Sequence, residues 1–231
     1  MTRDEAMKEL EACGNEQNRK TYARHGVGED HFGVSYADLY ALQKRIKKDH
    51  DLALALWDTG NHDARILATL ILDPARMTEG EADAWVRSAR NYVEASAVAT
   101  GFARTPFAAE RALVWQRSDE EWVARVGWSL LGQLAADANS GLEDAFFLPH
   151  LETIRTGIHD RKNRVREAMN GALIAIGSRS AALEEKALAV AAEVGKVHVD
   201  HGDTACKTPD AAAYIKKARQ RQQEKAATVT A

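Results

Sequence analysis

Cysteine is nearly absent from this chain: Cys13 and Cys206 are the pair in 231 residues. Two such thiols make no disulfide framework, and a reduced cytoplasmic setting is the simpler expectation. Proline is scarce, with four, and β-branched runs are few, so little interrupts helix from end to end. No apolar run approaches the roughly 20 residues that a membrane-spanning helix requires. The opening MTRDEAMKELEA is acidic and amphipathic and holds no apolar signal core. An excess of positive charge is missing too, the net charge being −3. That speaks against a nucleic-acid-binding surface spread over the whole molecule, although phosphate contact requires only a local patch. What the chain does have is apolar residues, 45% of the total, enough to exclude a largely disordered polypeptide.

The organising stretch is Leu52–Pro74. Leu52, Leu54, Ala55, Leu56 and Trp57 form a first short apolar helix, and Thr59-Gly60-Asn61 breaks it. Asp63 precedes a second, amphipathic helix with Ile66, Leu67, Leu70 and Ile71 at helical spacing, which Asp73-Pro74 stops. Neither helix can bury its apolar face alone. The Ala-Arg-apolar start of the second helix returns at Ala124-Arg125 and again at Val165-Arg166. Arg65 to Arg125 is 60 residues and Arg125 to Arg166 is 41. A helical pair returning about every 40 residues is the mark of HEAT or armadillo arrays. The longer gap leaves room for an additional pair around Glu81–Ala103. The expected fold is all-α, a right-handed solenoid of HEAT-like repeats forming one domain over residues 1–225, with a flexible tail at 226–231.

Along the chain, Thr2 and Glu5 form a capping box for a helix from Arg3 to about Cys13. A polar helix follows to His25, and Ser35 caps another with Leu39, Leu42 and Ile46 on one face and Lys44, Arg45, Lys47 and Lys48 elsewhere. Thr78 caps a helix bearing Trp85, and Tyr92–Arg104 is rich in small residues. Phe107–Arg117 comes next, then a helix that Ser118 caps with Glu121 at the capping-box position. Leu142–Thr156 carries an expected break near Pro149. Six arginines and lysines between Arg155 and Arg179 face two acids, a local excess of +4 around a turn and a helix start. Such a cluster is either a phosphate or nucleic-acid contact or a solvated turn. His198–Cys206 gathers His, Asp and Cys, but without a standard ligand spacing, and an Asx-stabilised turn is expected there rather than a metal. Thr208-Pro209-Asp210 starts the last helix with Thr as cap.

Four stretches carry a family resemblance: Leu56-Trp57-Asp58 with His62–Ala68, Asn91–Ala95, Glu121–Gly127 and Val165–Asn170. In these, across about residues 30–220, the chain resembles the AlkD-type bacterial DNA alkylation repair proteins. The resemblance implies a solenoid that holds double-stranded or branched DNA along a basic concave face. It implies hydrolysis of the N-glycosidic bond of cationic alkylpurines such as 7-methylguanine or 3-methyladenine. A carboxylate stabilises the developing oxocarbenium charge, and aromatic rings contact the lesion.

Carried over, Tyr92 takes the first aromatic position and Arg125 the arginine. The carboxylate four residues after the aromatic falls on Ser96 and the later tryptophan on Gly171. Glu94 is a substitute carboxylate, but two residues from Ser96 it points about 200° around the helix. The DNA-contacting set is Arg125, Arg161, Lys162, Arg164 and Arg166. The expectation is a DNA-binding HEAT-like protein with weak or lost base excision, acting as a monomer without cofactor or metal. An active alkylpurine glycosylase and a protein-interaction scaffold are the alternatives.

Overall fold

A computed structural model describes residues 1–230. It contains thirteen α-helices and no strand among the described residues. They are α1 (Arg3–Cys13), α2 (Glu16–Arg24), α3 (Tyr36–Ile46), α4 (His50–Trp57), α5 (His62–Ile71), α6 (Glu79–Ser88) and α7 (Tyr92–Phe102), then α8 (Ala108–Trp115), α9 (Glu121–Ala136), α10 (Asp144–Gly157), α11 (Asn163–Arg179), α12 (Ala181–Val194) and α13 (Ala211–Thr230). The chain gathers into two compact units, Met1–Ala108 with His201–Ala205, and Ala109–Asp200 with Cys206–Ala231. Helix α13 passes through the stretch expected as a tail, and Ala231 lies outside the described residues.

In the first unit α4 and α5 form the antiparallel pair read from Leu52–Pro74. Asn61 caps α5 by accepting from the Ala64 N–H, and Ile66, Leu67, Ala68 and Ile71 are buried. The additional pair expected near Glu81–Ala103 is α6 and α7. Thr78 and Glu81 close a capping box at the start of α6, and Thr2 and Glu5 close one at α1. Trp57 of α4 stacks on Trp85 of α6 with ring centres 4.2 Å apart. Asp63, fully buried, accepts the N–H groups of Phe32, Gly33 and Val34 at 2.7, 3.0 and 3.1 Å. This carboxylate fixes the loop that leads into α3.

In the second unit α9 and α11 pack closely. Gly127 of α9 lies against the end of α8, where a Cβ would stand 2.2 Å from the Gln116 backbone nitrogen. Three local expectations change here. Ser118 does not cap α9. Its hydroxyl accepts from the Glu120 N–H, no side chain caps the helix, and Glu121 instead accepts the Arg164 N–H at 2.7 Å. Helix α10 runs through Pro149 without a break, forgoing the one N–H that would otherwise bond to the Ala145 carbonyl. Helix α13 begins after Asp210, whose carboxylate accepts the Ala213 N–H, so Asp210 rather than Thr208 serves as cap.

Candidate nucleic-acid interface

Helices α3, α5 and α7 of the first unit border an open groove of about 670 Å³. Helix α7 starts at Asn91, whose side chain accepts the N–H groups of Val93 and Glu94. That start sends Tyr92, Ser96 and Thr100 to the groove, and Ala95 and Ala99 into the core. The small residues of α7 thus serve both uses at once. Gly101 permits close approach to α5, since a Cβ there would meet Leu72 Cδ2 at 2.9 Å.

Tyr36 and Tyr40 reach the groove from α3, four residues apart and hence on one face. Their rings lie 6.1 Å apart at 45°, and they are 43% and 49% exposed, unusual for aromatics in this chain. Burial, then the neighbouring Tyr40, Tyr92 and Asp63, push the Tyr36 phenol up, so it stays protonated and able to donate. Tyr92 Oη is hydrogen-bonded to His25 Nδ1 of the first unit. Lys48 and Arg104, both exposed, stand on the rim. Lys48 lies 3.5 Å from Asp73.

Sequence reasoning placed Tyr92 and Ser96 in one site, and the groove brings them together. Ser96 Oγ donates to the Tyr92 carbonyl at 2.8 Å. Glu94 does not join them. It is 2% exposed. One carboxylate oxygen lies 3.1 Å from His62 Nδ1, and the other accepts Arg65 Nη1 and the Arg90 N–H, each at 3.0 Å. Burial pushes this carboxyl up, but the bonds from His62 and Arg90 and the Arg65 guanidinium outweigh it and hold it below its ordinary value. The substitute carboxylate is therefore an interior brace turned away from the groove, as a 200° rotation about the helix requires.

Arg125 is likewise interior, at 6% exposure. Its Nη1 donates to the Arg164 carbonyl at 2.9 Å and to Glu167 at 2.8 Å. The basic cluster around α11 is largely engaged within the second unit. Arg161 donates to the Ser118 carbonyl at 2.7 Å, Lys162 to the Asp119 carbonyl at 2.8 Å, and Arg164 to Glu167 at 3.1 Å. Among the described residues Arg166 reaches only Asn163, at 3.4 Å, and is half-buried. Arg161 and Lys162 thus tie the start of α11 to the loop between α8 and α9. Gly171 is exposed, with open space where a side chain would stand.

The groove tyrosines Tyr36 and Tyr40 and the cation Arg104 were missed. The available signal was the four-residue spacing of two aromatics off the apolar Leu39–Leu42–Ile46 face. Among the described residues no three or more His, Cys, Asp or Glu side chains come together as a metal-ion set, and no helix is long and apolar enough to cross a membrane.

Comparison with known proteins then decides the family. The model of a family described as DNA alkylation repair enzyme matches residues 6–215. The chain belongs to the DNA alkylation repair enzyme family. Among its relatives, an uncharacterized protein of Listeria monocytogenes is 33% identical over 229 residues, 96% of this chain and 99% of that one. An uncharacterized protein of Listeria innocua is 32% identical over the same shares. A solved structure aligns with a TM-score of 0.88 and 31% identity, covering 96% of this chain and 95% of the other. That protein is described as one of a new family related to the HEAT-like repeat DNA glycosylases with affinity for branched DNA structures. As a DNA alkylation repair family member with this neighbour, the all-α chain has the HEAT-like repeat fold.

Proposed function

We propose that this DNA alkylation repair family member binds branched or otherwise structured DNA and has weak or no base-excision activity. The observation that carries the reading is Ser96. It stands one turn after Tyr92 in the groove, at the position where a glycosylase of this kind needs a carboxylate, and its hydroxyl already serves the helix backbone. A neutral hydroxyl supplies no charge to an oxocarbenium ion. The nearest acid in sequence, Glu94, is committed to Arg65 and His62. The affinity of the structural neighbour for branched DNA supports the choice of ligand.

In this reading Tyr36, Tyr40 and Tyr92 pack against sugar or an unstacked base. Lys48 and Arg104 contact phosphate beside them. In the second unit, Arg166 and Lys162 remain the better phosphate ligands of the basic cluster, while Arg125 holds the scaffold. Fluorescence anisotropy with a four-way junction and a matched duplex, at several salt concentrations, tests this. Junction affinity should exceed duplex affinity and fall steeply with salt. No junction binding at low salt would overturn it. In parallel, alkylated DNA is assayed for release of 7-methylguanine. The wild type should release none above background. The Ser96→Asp variant should recover some, because it restores a carboxylate one turn after Tyr92 in the groove.

A further inference from the structure

Helix α13 separates charge from the rest of the chain. Five of the 31 lysines and arginines lie on it, Lys216, Lys217, Arg219, Arg221 and Lys225, against one of the 34 acids, Glu224. The helix therefore carries +4 while the remainder of the chain carries −7. Its rotation is fixed by its neighbours in the second unit. Ile215 is fully buried, and a Cβ at Gly177 of α11 would stand 2.8 Å from its Cδ1. Arg219 Nε donates to Glu184 of α12 at 3.0 Å, and Asn170 of α11 donates to the Pro209 carbonyl at 3.0 Å. With Ile215 and Arg219 turned inward, the other four cations are exposed.

These four differ from the cations of α11. Arg161, Lys162 and Arg164 are spent on carbonyls and on Glu167. The side chains of Lys216, Lys217, Arg221 and Lys225 make no ion pair or hydrogen bond among the described residues. At about 100° per residue, Tyr214, Lys217, Arg221 and Lys225 fall within about 80° of one another, in a stripe about 16 Å long. Tyr214 is 54% exposed and heads this stripe. A helix that lies in a lipid interface needs large apolar side chains beside its cations. Between Lys216 and Lys225 the other exposed side chains are Gln220, Gln222, Gln223 and Glu224, the last bonded to Gln220 at 2.9 Å. A row of unspent cations with an aromatic at its end is instead the footprint of a nucleic-acid backbone.

We infer that the Tyr214–Lys217–Arg221–Lys225 face of α13 binds the sugar-phosphate backbone of a nucleic-acid strand, whatever its base sequence. Lys217, Arg221 and Lys225 stand about one helical turn apart and neutralise neighbouring phosphates, and Tyr214 packs against the sugar or base beside them. The inference rests on the DNA-binding reading and adds a contact surface outside both the groove and the α11 cluster. Each neutralised phosphate releases condensed counterions, so the contact registers as salt dependence.

Anisotropy of the full chain with a four-way junction, across a series of salt concentrations, tests it. The triple variant Lys217→Gln, Arg221→Gln, Lys225→Gln should bind at least about tenfold more weakly at about 100 mM salt, with a log–log salt slope shallower by about 3. Its urea midpoint should match that of the wild type, because Ile215 and Arg219 are kept. A control triple, Lys8→Gln, Lys20→Gln, Lys196→Gln, removes the same charge from other exposed lysines and should keep the wild-type slope. Tyr214→Ala should weaken binding about fivefold or more with the slope unchanged. Equal slopes in the wild type and the α13 triple, or an equal loss in the control, overturn the inference and leave the DNA-binding reading standing. A wild type that binds no junction overturns the reading itself, and the inference with it. Tighter binding to phosphatidylserine vesicles or to polyglutamate than to the junction at equal salt, lost in the α13 triple, assigns the face to another partner and also overturns the inference.

Discussion

The two units use one device, an arginine early in one helix bound to a glutamate on the next-but-one helix, and they enclose it differently. In the first unit Arg65 and Glu94 are both almost fully buried, and Glu94 also bonds His62 and the Arg90 N–H. Arg65 also donates to the Trp57 and Ser88 carbonyls and lies over the Trp57 ring at 4.7 Å. In the second unit Arg125 is buried, but the Glu167 side chain is 24% exposed and is shared with Arg164. A sealed ion pair is weak evidence of net stabilisation but becomes costly when halved, because the survivor is left charged in a dry interior. A half-open one lets water take the place of the missing partner. The Ala-Arg repeat in the sequence is thus a structural staple first, and the same motif carries different energies in the two units.

Glu94→Ala should produce the largest effect, a loss of about 3–5 kcal/mol in urea unfolding, since it strands Arg65 and His62 in the interior. An Arg65→Met, Glu94→Leu pair should recover most of that loss, and failure to recover would show that the Arg65 carbonyl bonds matter more than the charge. Gly127→Ala should cost about 1–3 kcal/mol, because the added methyl meets the Gln116 backbone at 2.2 Å and backbone cannot swing aside. Glu167→Ala should cost less than Glu94→Ala, about 1–2 kcal/mol, on the same urea scale. Equal losses at Glu94 and Glu167 would break the comparison between the units.

The units should also differ in acid. The Glu94 carboxyl is held below its ordinary 4.5. The unfolded chain therefore takes up this proton first, and the contribution is whole above about pH 4.5 and fades as pH falls through the lowered value. Glu94→Gln should flatten that part of the stability profile, measured by unfolding between pH 3 and 7. His150 in the second unit, pushed below its ordinary 6.5 mainly by burial, follows the same sign in a higher window. Its contribution is whole above about pH 6.5 and declines below it, and His150→Phe should remove that slope. Smallest of all for stability, and visible only in DNA binding, Tyr40→Ala should weaken junction affinity by about 1 kcal/mol. An unchanged affinity there would move the contact away from the groove.

Helix positions were legible because their signals are local. Thr2 with Glu5, Ser35, and the Asn61 turn act within a few residues, and the helices begin where these side chains stand. The site was legible only in part, and the reason is distance along the chain. A run such as Arg161-Lys162-Asn163-Arg164 displays charge in the sequence but not where the charge is spent. Arg161 is spent on the Ser118 carbonyl, 43 residues earlier. Arg125 follows the same rule, its register read from sequence and its burial fixed by packing. Ser118 was misread because serine before an acidic helix start resembles a cap, yet Glu121 was claimed by the Arg164 N–H. Tyr36 and Tyr40 could have been found, since two aromatics one turn apart off an apolar face need a reason to stand in water.

Asp63 has a consequence for how this chain can be divided. Its carboxylate is fully buried and accepts three consecutive N–H groups from Phe32, Gly33 and Val34. A truncated protein starting at Ser35 would keep the acid and lose all three donors, leaving a bare charge at the open end of the repeats. The leading segment is then not an appendage that proteolysis or engineering could trim at leisure. It supplies the three donors that let Asp63 stay charged inside the fold, and the shortest viable version of this molecule has to keep them.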